Sequence, residues 1–180
     1  MAISTYEKVQ FLTTGAGRVR FNPNLYESGK VCLSLLGTWA GPGWIPNKST
    51  LIQILVSIQS LILVEQPYFN EPSFETTMGT PQGTKQSNAY NREIRRATVN
   101  HGMLGILRSP PPFFEEVVAQ HFAHVGSSLV DVVGGWATDE KAIGKGEKDI
   151  MARGLTSKSA VLGGKQIAEL KKLIGKLPPV

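Results

Sequence analysis

The stretch FNPNLYESGKVCLSLLGTW, residues 21–39, contains the one cysteine of the chain and two turn signals. Pro23 fixes its own backbone and favours an extended conformation for Asn22, so an extended segment is expected to end here. The Ser-Gly pair that follows is a second turn signal. The mostly apolar run around Cys32 is then predicted to be a short, nearly buried extended segment.

Two interpretations of Cys32 are open on the residues alone. A lone cysteine in an apolar run is usually a small buried side chain. However, Asn24 and Tyr26 precede it across a turn, and Gly- and Pro-rich backbone (residues 37–47) follows, where functional groups are often exposed. An acidic residue, Glu71, lies in a loop fixed by prolines. The thiol is therefore either a core side chain or a reactive group.

The rest of the chain is organised as strands followed by helices. Residues 8–21 predict two short strands joined at TTGAG, and residues 51–64 predict a helix capped by Ser49 or Thr50. That helix is apolar on most sides and is expected to be packed on both faces. Further helices are predicted over residues 89–108, 113–125 (with Phe114, Val117, Val118 and Phe122 inward) and 165–177. This order indicates an α+β fold.

Composition restricts the class of protein. The chain has 180 residues, of which 41% are hydrophobic, which suits one domain plus an appendage. Its net charge of +5 lies mostly beyond Ala137, where nine Lys or Arg face five Asp or Glu. No basic-aromatic stripe accompanies this charge, so nucleic acid is not an expected partner. The most apolar stretch, residues 51–64, is too short and too polar to span a bilayer, so no membrane partner is expected. A single cysteine and no signal-peptide pattern predict a reducing compartment, the cytoplasm or also the nucleus.

Four motifs in order resemble the catalytic core of ubiquitin-conjugating enzymes. They are NPN at 22–24, VCL at 31–33, WIP at 44–46 and LVSIQSLI at 55–62. Those enzymes carry His-Pro-Asn, a turn, the active cysteine, a Trp-x-Pro loop and a similar helix. RFNPNLY, SLLGTWAG and PYFNEPSFE are similar to the large atypical members, such as the giant hybrid of the inhibitor-of-apoptosis family. The resemblance covers about residues 7–125 and implies a UBC-like α+β fold: a truncated antiparallel sheet, a central helix and C-terminal helices.

The resemblance also implies roles for residues near the thiol. Cys32 would accept the C-terminus of ubiquitin, or of a ubiquitin-like protein, as a thioester and pass it to a substrate lysine. Asn24 matches an asparagine that stabilises the oxyanion or, with equal weight, closes the turn. Tyr26 and Glu71 match neighbours that shield and orient the lysine, although core packing of Tyr26 is an equal alternative. Ser34 matches a gate position.

Partners follow from the same resemblance. Trp44, Ile45 and Pro46 match the loop that docks ubiquitin ligases, although packing of Trp44 against the central helix is the favoured interpretation for that residue. The other implied partners are ubiquitin or a ubiquitin-like protein, the ubiquitin-activating enzyme and protein substrates. No cofactor is expected.

The chain departs from the family pattern in two places. Asn22 stands where most relatives have histidine. Family members also place a helix and about three strands ahead of the matching region, so residues 1–125 are expected to form an N-terminally incomplete core. Residues 126–180 are expected to be a Gly-rich, basic extension with a short amphipathic helix. Low solubility or a molten character is predicted for the chain expressed alone, and a sharp two-state melt of the monomer would contradict this.

Other functions are less well supported by the residues. An interaction module that binds ligase or ubiquitin without forming a thioester is the main alternative. A cysteine hydrolase would need one of three histidines, and none lies near Cys32 in sequence. His121 and His124 have the spacing of a metal pair on a helix, but no further ligands cluster with them.

Overall fold

The structure is a computed structural model that describes residues 9–143 and 162–178. The chain divides into two compact units, Met1–Asn91 with Ala152–Ser157 and Arg92–Met151 with Lys158–Val180. A single helix runs across residue 125, where the sequence predicts a domain boundary. The domain boundary at residue 125, and the division into residues 1–125 and 126–180, therefore stay predictions.

Helices dominate the described residues, and short 3-10 turns connect them. The principal elements in chain order are α1 (Leu51–Ser57), continued by a π-helical segment (Ile58–Ile62); α2 (Pro81–Ala97), continued by a π-helical segment (Thr98–Gly105); α3 (Ile106–Arg108); α4 (Glu115–Ile143); and α5 (Gly164–Ile174). Short 3-10 helices lie at Ser34–Leu36, Pro67–Asn70 and Phe74–Thr77. Among the helices of the described residues, none is both long and apolar enough to cross a bilayer.

The prediction that residues 8–21 form two strands of a regular hairpin is wrong. The TTGAG turn is present, and Arg18 N–H donates to Thr14 O at 3.0 Å. However, the β pairing around it consists of isolated antiparallel bridges, among them Gln10 with Lys30 and Leu25 with Val31. The turns that begin at Pro23 leave too few consecutive extended residues for a ladder. The antiparallel sheet expected from the family is therefore reduced to bridges in the described part of the chain.

Helix α1 begins where the sequence predicts. Thr50 is the N-cap, and its backbone N–H donates to Gln53 Oε1 at 2.8 Å. Ile54 and Ile62 are buried in a hydrophobic cluster with four apolar side chains that surround the Cys32 segment: Leu25, Val31, Leu33 and Leu36. This cluster is the core of the first unit.

The prediction that α1 is packed on both faces is wrong for this chain. Ile54 is fully buried, whereas Leu51 is 62% exposed and Ile52, Leu55 and Val56 are each at least half exposed. Only one side of the helix finds apolar partners, so an apolar face is left in contact with solvent.

Helix α2 starts earlier than predicted. Residues 78–88 are polar and contain proline and glycine, which suggests a loop, yet Pro81 occupies the first turn of a helix. Proline is well suited there because its missing N–H would have no helical partner. Thr80 supports this start, since its side-chain oxygen accepts a hydrogen bond from Gly83 N–H at 3.0 Å.

The second unit is built mainly from the described helices that follow Asn91. Its core contains buried residues from the π-helical segment after α2, from α4 and from α5: Val99, Met103, Leu104, Phe122, Val133, Ala137, Leu162 and Leu170. The predicted helix at 113–125 is confirmed but extends to Ile143. Phe122 and Val118 face the core as predicted, whereas Phe114 and Val117 are exposed.

Candidate functional site around Cys32

The Asn-Pro-Asn turn is held by the side chain of Asn22. This buried amide donates from Nδ2 to Ile62 O at 2.8 Å and accepts at Oδ1 from Asn24 N–H at 2.7 Å. The turn is thereby attached to the end of the π-helical segment after α1. A neutral imidazole also offers one donor and one acceptor, which explains chemically how asparagine can stand where relatives carry histidine.

Cys32 is paired with Asn24 through the backbone and through a side chain. Cys32 N–H donates to Asn24 O at 2.9 Å, and Asn24 Nδ2 donates to Cys32 O at 2.9 Å. The Asn24 amide therefore closes the turn in this conformation. The sequence left two roles open for Asn24, and this hydrogen bond to Cys32 O is a direct contact that supports the turn-closing role.

The extended backbone at Cys32 separates its side chain from those of its neighbours. Leu33 has extended dihedrals, and successive side chains of an extended chain point to opposite sides. Val31 and Leu33 belong to the hydrophobic cluster, whereas Cys32 does not. The thiol is free of disulfides but only 2% exposed, so it is buried on the other side of the segment.

Tyr26 is the polar neighbour of the thiol. The Cys32 thiol is one of the groups that act on the Tyr26 phenol. Burial raises the pKa of the Tyr26 phenol above its usual value; the neighbouring Cys32 and Glu71 act in the same direction, and the positive charge of Arg20 opposes them. The phenol is therefore uncharged at neutral pH and can donate to the sulfur when it is a thiolate.

Arg20 connects Tyr26 to Glu71, a role that the motif-based reasoning missed. Its Nη2 donates to Glu71 Oε2 at 3.1 Å and to Pro23 O at 2.5 Å. The guanidinium carbon lies 4.2 Å from the centre of the Tyr26 ring. Alternation in VRF, residues 19–21, could have indicated this arrangement, because Arg20 is expected on the side opposite Val19 and Phe21.

Glu71 is placed by the short 3-10 helix that precedes it. Pro67–Asn70 ends at Glu71, whose N–H donates to Tyr68 O at 3.4 Å. Asn70 Nδ2 in turn donates to Leu61 O at 2.9 Å, which ties this loop to the segment after α1. The loop therefore delivers the carboxylate to Arg20 from a distant part of the sequence.

The backbone after Cys32 is fixed by Thr38, a residue without a predicted role. Its hydroxyl donates to Val31 O at 2.7 Å and accepts from Leu33 N–H at 3.0 Å. Ser34, the predicted gate residue, begins a 3-10 helix, and its side chain lies against Gly41. The Gly-rich loop thus folds back beside Ser34.

The predicted ligase-docking residues follow Cys32 in the sequence and differ in exposure. Trp44 is partly buried and packs against the hydrophobic cluster, in agreement with the interpretation favoured for it. Ile45 is 53% exposed and Pro46 is exposed. Ile45 N–H donates to Ser49 Oγ at 2.9 Å, which holds this exposed turn in shape.

His121 and His124 have the spacing of a metal pair on a helix. Both lie on α4, and the described residues contain no group of three or more His, Cys, Asp or Glu side chains that could hold a metal ion. At the candidate site the structure places an amide, a phenol and an Arg-Glu ion pair around the thiol.

These groups are suited to acyl transfer through sulfur. A thiolate is a strong nucleophile that can form a covalent acyl intermediate. The structure brings four predicted residues together with Arg20: Cys32, Asn24, Tyr26 and Glu71. Ser34 is adjacent in the chain, and the Trp44–Pro46 turn is not joined to the thiol by a contact described above.

Comparison with known proteins points to one family. The profile of the family described as ubiquitin-conjugating enzyme matches residues 7–98. A mouse protein named dual E2 ubiquitin-conjugating enzyme/E3 ubiquitin-protein ligase BIRC6 is 43% identical over 94% of this chain and 4% of its own length. A probable ubiquitin-conjugating enzyme E2 of Acanthamoeba polyphaga mimivirus is 44% identical over 77% of this chain and 10% of its own length.

A third relative has the same family name. The probable ubiquitin-conjugating enzyme protein 17 of Caenorhabditis elegans is 53% identical over 63% of this chain and 16% of its own length. The chain thus spans a small part of each of these proteins. Residues 7–98, which the family profile matches, contain the Trp44–Pro46 turn and the five residues of the candidate site: Arg20, Asn24, Tyr26, Cys32 and Glu71. The chain belongs to the ubiquitin-conjugating enzyme family.

Proposed function

We propose that the chain is the catalytic domain of a ubiquitin-conjugating enzyme that forms a thioester between Cys32 and the C-terminus of ubiquitin or a ubiquitin-like protein. The observation that carries the proposal is the side-chain register at residues 31–33. Val31 and Leu33 enter the hydrophobic cluster, whereas the thiol lies beside Tyr26 and polar groups of Asn24. A cysteine used only for packing would be expected inside the cluster.

The charging step exchanges one thioester for another. The Cys32 sulfur attacks the carbonyl carbon of the thioester carried by the activating enzyme, and a new C–S bond forms. The old C–S bond breaks with its electron pair on the departing sulfur, which takes up the proton lost from Cys32. ATP is consumed by the activating enzyme, so this chain needs no cofactor of its own.

The transfer step passes the acyl group to a substrate lysine. The amine nitrogen bonds to the carbonyl carbon, an oxyanion forms, and the C–S bond then breaks to release the Cys32 thiolate. One oxyanion donor is worth about 3 kcal/mol of transition-state stabilisation. An amide nitrogen carries two N–H groups, so the bond from Asn24 to Cys32 O does not by itself prevent a second donation to the oxyanion.

Other parts of the family role are included in the proposal. The exposed Ile45 and Pro46 are an apolar turn suited to docking a ligase, whereas Trp44 serves as their anchor in the cluster. Ser34 borders the thiol segment as a gate residue. Protein substrates and the activating enzyme complete the set of partners, and we place the reaction in the cytoplasm or nucleus.

A second candidate function is supported by the burial of Cys32. Because the thiol is only 2% exposed, it cannot reach a thioester on another protein unless Tyr26 or the neighbouring loop moves. A chain in which this movement does not occur would bind ubiquitin or a ligase without being charged. This is the catalytically impaired interaction module.

A charging assay separates the two functions. The chain is incubated with activating enzyme, ATP and ubiquitin, and the enzyme hypothesis predicts an adduct of one ubiquitin that is cleaved by thiol reagents. Cys32→Ala is expected to abolish the adduct. Cys32→Ser is expected to give an oxyester that survives thiol but is cleaved by hydroxide.

One result of the charging assay would contradict the enzyme hypothesis. If a folded chain forms no adduct although a maleimide labels Cys32, thioester formation is not its function. Binding of ubiquitin or a ligase under those conditions, measured by calorimetry, would support the interaction module.

A further inference from the structure

We propose that Arg20 is a positioning residue for the transfer step: it fixes Glu71 and Tyr26 against the Asn-Pro-Asn turn, and its charge favours the neutral form of the incoming amine. This inference rests on the proposed function and deepens it. Arg20 is the first residue of RFNPNLY, but the family resemblance assigned it no role.

The first support is geometric. A single guanidinium contacts three groups from two segments: it donates to Pro23 O at 2.5 Å, donates to Glu71 Oε2 at 3.1 Å and stacks 4.2 Å from the Tyr26 ring centre. The Arg20 side chain is 15% exposed, so these contacts are largely screened from water. A planar, permanently charged group can make all three contacts at once, which a flexible ammonium cannot.

The second support is an unsatisfied donor. Arg20 Nε is buried and has no hydrogen-bond partner among the described residues. Leaving a buried donor unpaired disfavours folding. A stability role alone would be filled at least as well by an uncharged side chain at this position, so the charge itself is inferred to have a use.

The third support is the balance of charge beside the thiol. The charged groups that face Tyr26 are Arg20, Glu71 and Lys30, whose Nζ lies 5.5 Å from the ring centre. The titratable neighbours Cys32 and Tyr90 add no charge in their protonated forms. Two cations and one anion leave a net positive environment, which disfavours an ammonium ion and lowers the pKa of an amine.

The effect on the reaction follows directly. Only the neutral amine has a lone pair with which to form the C–N bond. As that bond forms, the C–S electron pair moves to the Cys32 sulfur, and the surplus proton on nitrogen passes to Glu71 or to water. Arg20 therefore raises the fraction of lysine able to attack and keeps the carboxylate that receives the proton in place.

The test uses the purified thioester of the chain with ubiquitin. Discharge to free lysine is followed from pH 6 to pH 10 for the wild type, Arg20→Gln and Arg20→Lys. For Arg20→Gln we expect the midpoint of the pH-rate profile to rise by about one unit, which near pH 7 is a roughly tenfold loss of rate. Arg20→Lys is expected to keep the wild-type midpoint even if its plateau rate falls.

Two comparisons distinguish charge from structure. Hydroxylamine is uncharged at neutral pH, so its attack on the Arg20→Gln thioester is expected to be nearly as fast as on the wild type. Arg18→Gln is the matched control, because Arg18 is a neighbouring arginine whose side chain donates to Gly15 O within its own turn, and the substitution should leave both reactions unchanged.

A second variant tests the inference without altering Arg20. Glu71→Gln removes the anion of the cluster, so the midpoint for lysine discharge is expected to fall rather than rise, together with a lower plateau. Equal losses for lysine and hydroxylamine at every pH, or an unshifted midpoint in both Arg20→Gln and Glu71→Gln, would overturn the inference. A wild-type chain that forms no thioester would instead refute the proposed function on which it rests.

Discussion

Tyr90 shows how a single buried hydroxyl can affect stability in the first unit. Tyr90 lies on α2 and its side chain is buried, with its ring centre 6.1 Å from that of Tyr68. The phenol oxygen has no hydrogen-bond partner among the described residues. Burial raises the pKa of Tyr90 well above its usual range, Glu71 adds to this effect, and Arg20 opposes it.

Replacing Tyr90 with phenylalanine is expected to preserve or increase stability at neutral pH. Removing an unpaired buried hydroxyl can raise the free energy of unfolding by about 1 kcal/mol. Above pH ~10 the unfolded tyrosine ionises while the folded one stays protonated, so the wild type loses about 1.4 kcal/mol per pH unit from this group. Tyr90→Phe lacks that loss, and urea titrations at pH 7 and pH 11 measure both effects.

Tyr68→Phe is the matched control for this prediction. The Tyr68 hydroxyl hydrogen-bonds Gln86 Oε1 at 2.8 Å, so its removal is expected to cost about 1 kcal/mol at pH 7. A lower stability for Tyr90→Phe at pH 7, similar to that of Tyr68→Phe, would mean that the Tyr90 hydroxyl has a partner in solution.

At the scale of elements, the contact of α4 with α5 depends on a glycine. A Cβ built on Gly126 would lie 2.5 Å from Ile174 Cγ2, so the two helices meet more closely than an alanine permits. Gly135 lies on the same helix, is exposed and has no described atom within 4 Å of such a Cβ. The two glycines therefore lie on the same helix but differ in the packing around them.

Alanine substitutions at these two positions are expected to have opposite signs. Gly126→Ala overpacks the interface with α5 and is expected to destabilise the protein by about 1–3 kcal/mol. Gly135→Ala gains helix propensity and is expected to stabilise it by up to about 1 kcal/mol. Thermal unfolding followed by circular dichroism measures both, and a stabilising Gly126→Ala would show that Ile174 is free to move aside.

At the scale of the whole molecule, each unit has its own hydrophobic cluster, yet apolar surface is also left exposed. In the first unit this surface is the outer face of α1, which includes Leu51, Ile52, Leu55 and Val56. Large exposed apolar patches mark contact surfaces or promote aggregation. This face is consistent with the low solubility that the sequence predicts for the chain expressed alone.

Polar substitution of this face is expected to improve solubility without loss of fold. The double variant Leu51→Glu with Leu55→Lys leaves the net charge unchanged, places an acid in the first turn and forms a favourable i,i+4 pair. We expect weaker ANS fluorescence, a higher solubility limit and an unchanged or slightly higher Tm. The measurements are ANS titration and differential scanning calorimetry.

Ile54→Lys is the control, because Ile54 lies on the same helix but is fully buried. It is expected to unfold the first unit, since an unpaired buried charge is strongly destabilising. A Tm for the double variant that falls as far as that of Ile54→Lys would show that the outer face is packed in the folded protein.

The sequence by itself determined the local features. Pro23 requires a turn, Thr50 caps a helix, and the order of NPN, VCL, WIP and LVSIQSLI carried the resemblance that the family profile confirms. Such features depend on residues a few positions apart, and their backbone preferences act whatever surrounds them. For the same reason the helix at residues 164–174 was predictable from its apolar spacing.

Only the tertiary structure decided which surfaces meet. Arg20 and Glu71 are 51 residues apart, and no local pattern pairs them. From the sequence, the apolar side chains on every side of α1 are equally expected to be buried. Burial requires a partner surface, and the described residues provide one on a single side of the helix. The start of α2 at Pro81 was missed because its polar composition resembles a loop, whereas contacts of buried Tyr90 and Ser87 hold that segment in the fold. Burial and long-range pairing are properties of the assembled chain, which is why the motif could be predicted from the residues whereas the contacts of Arg20 with Glu71 and Tyr26 could not.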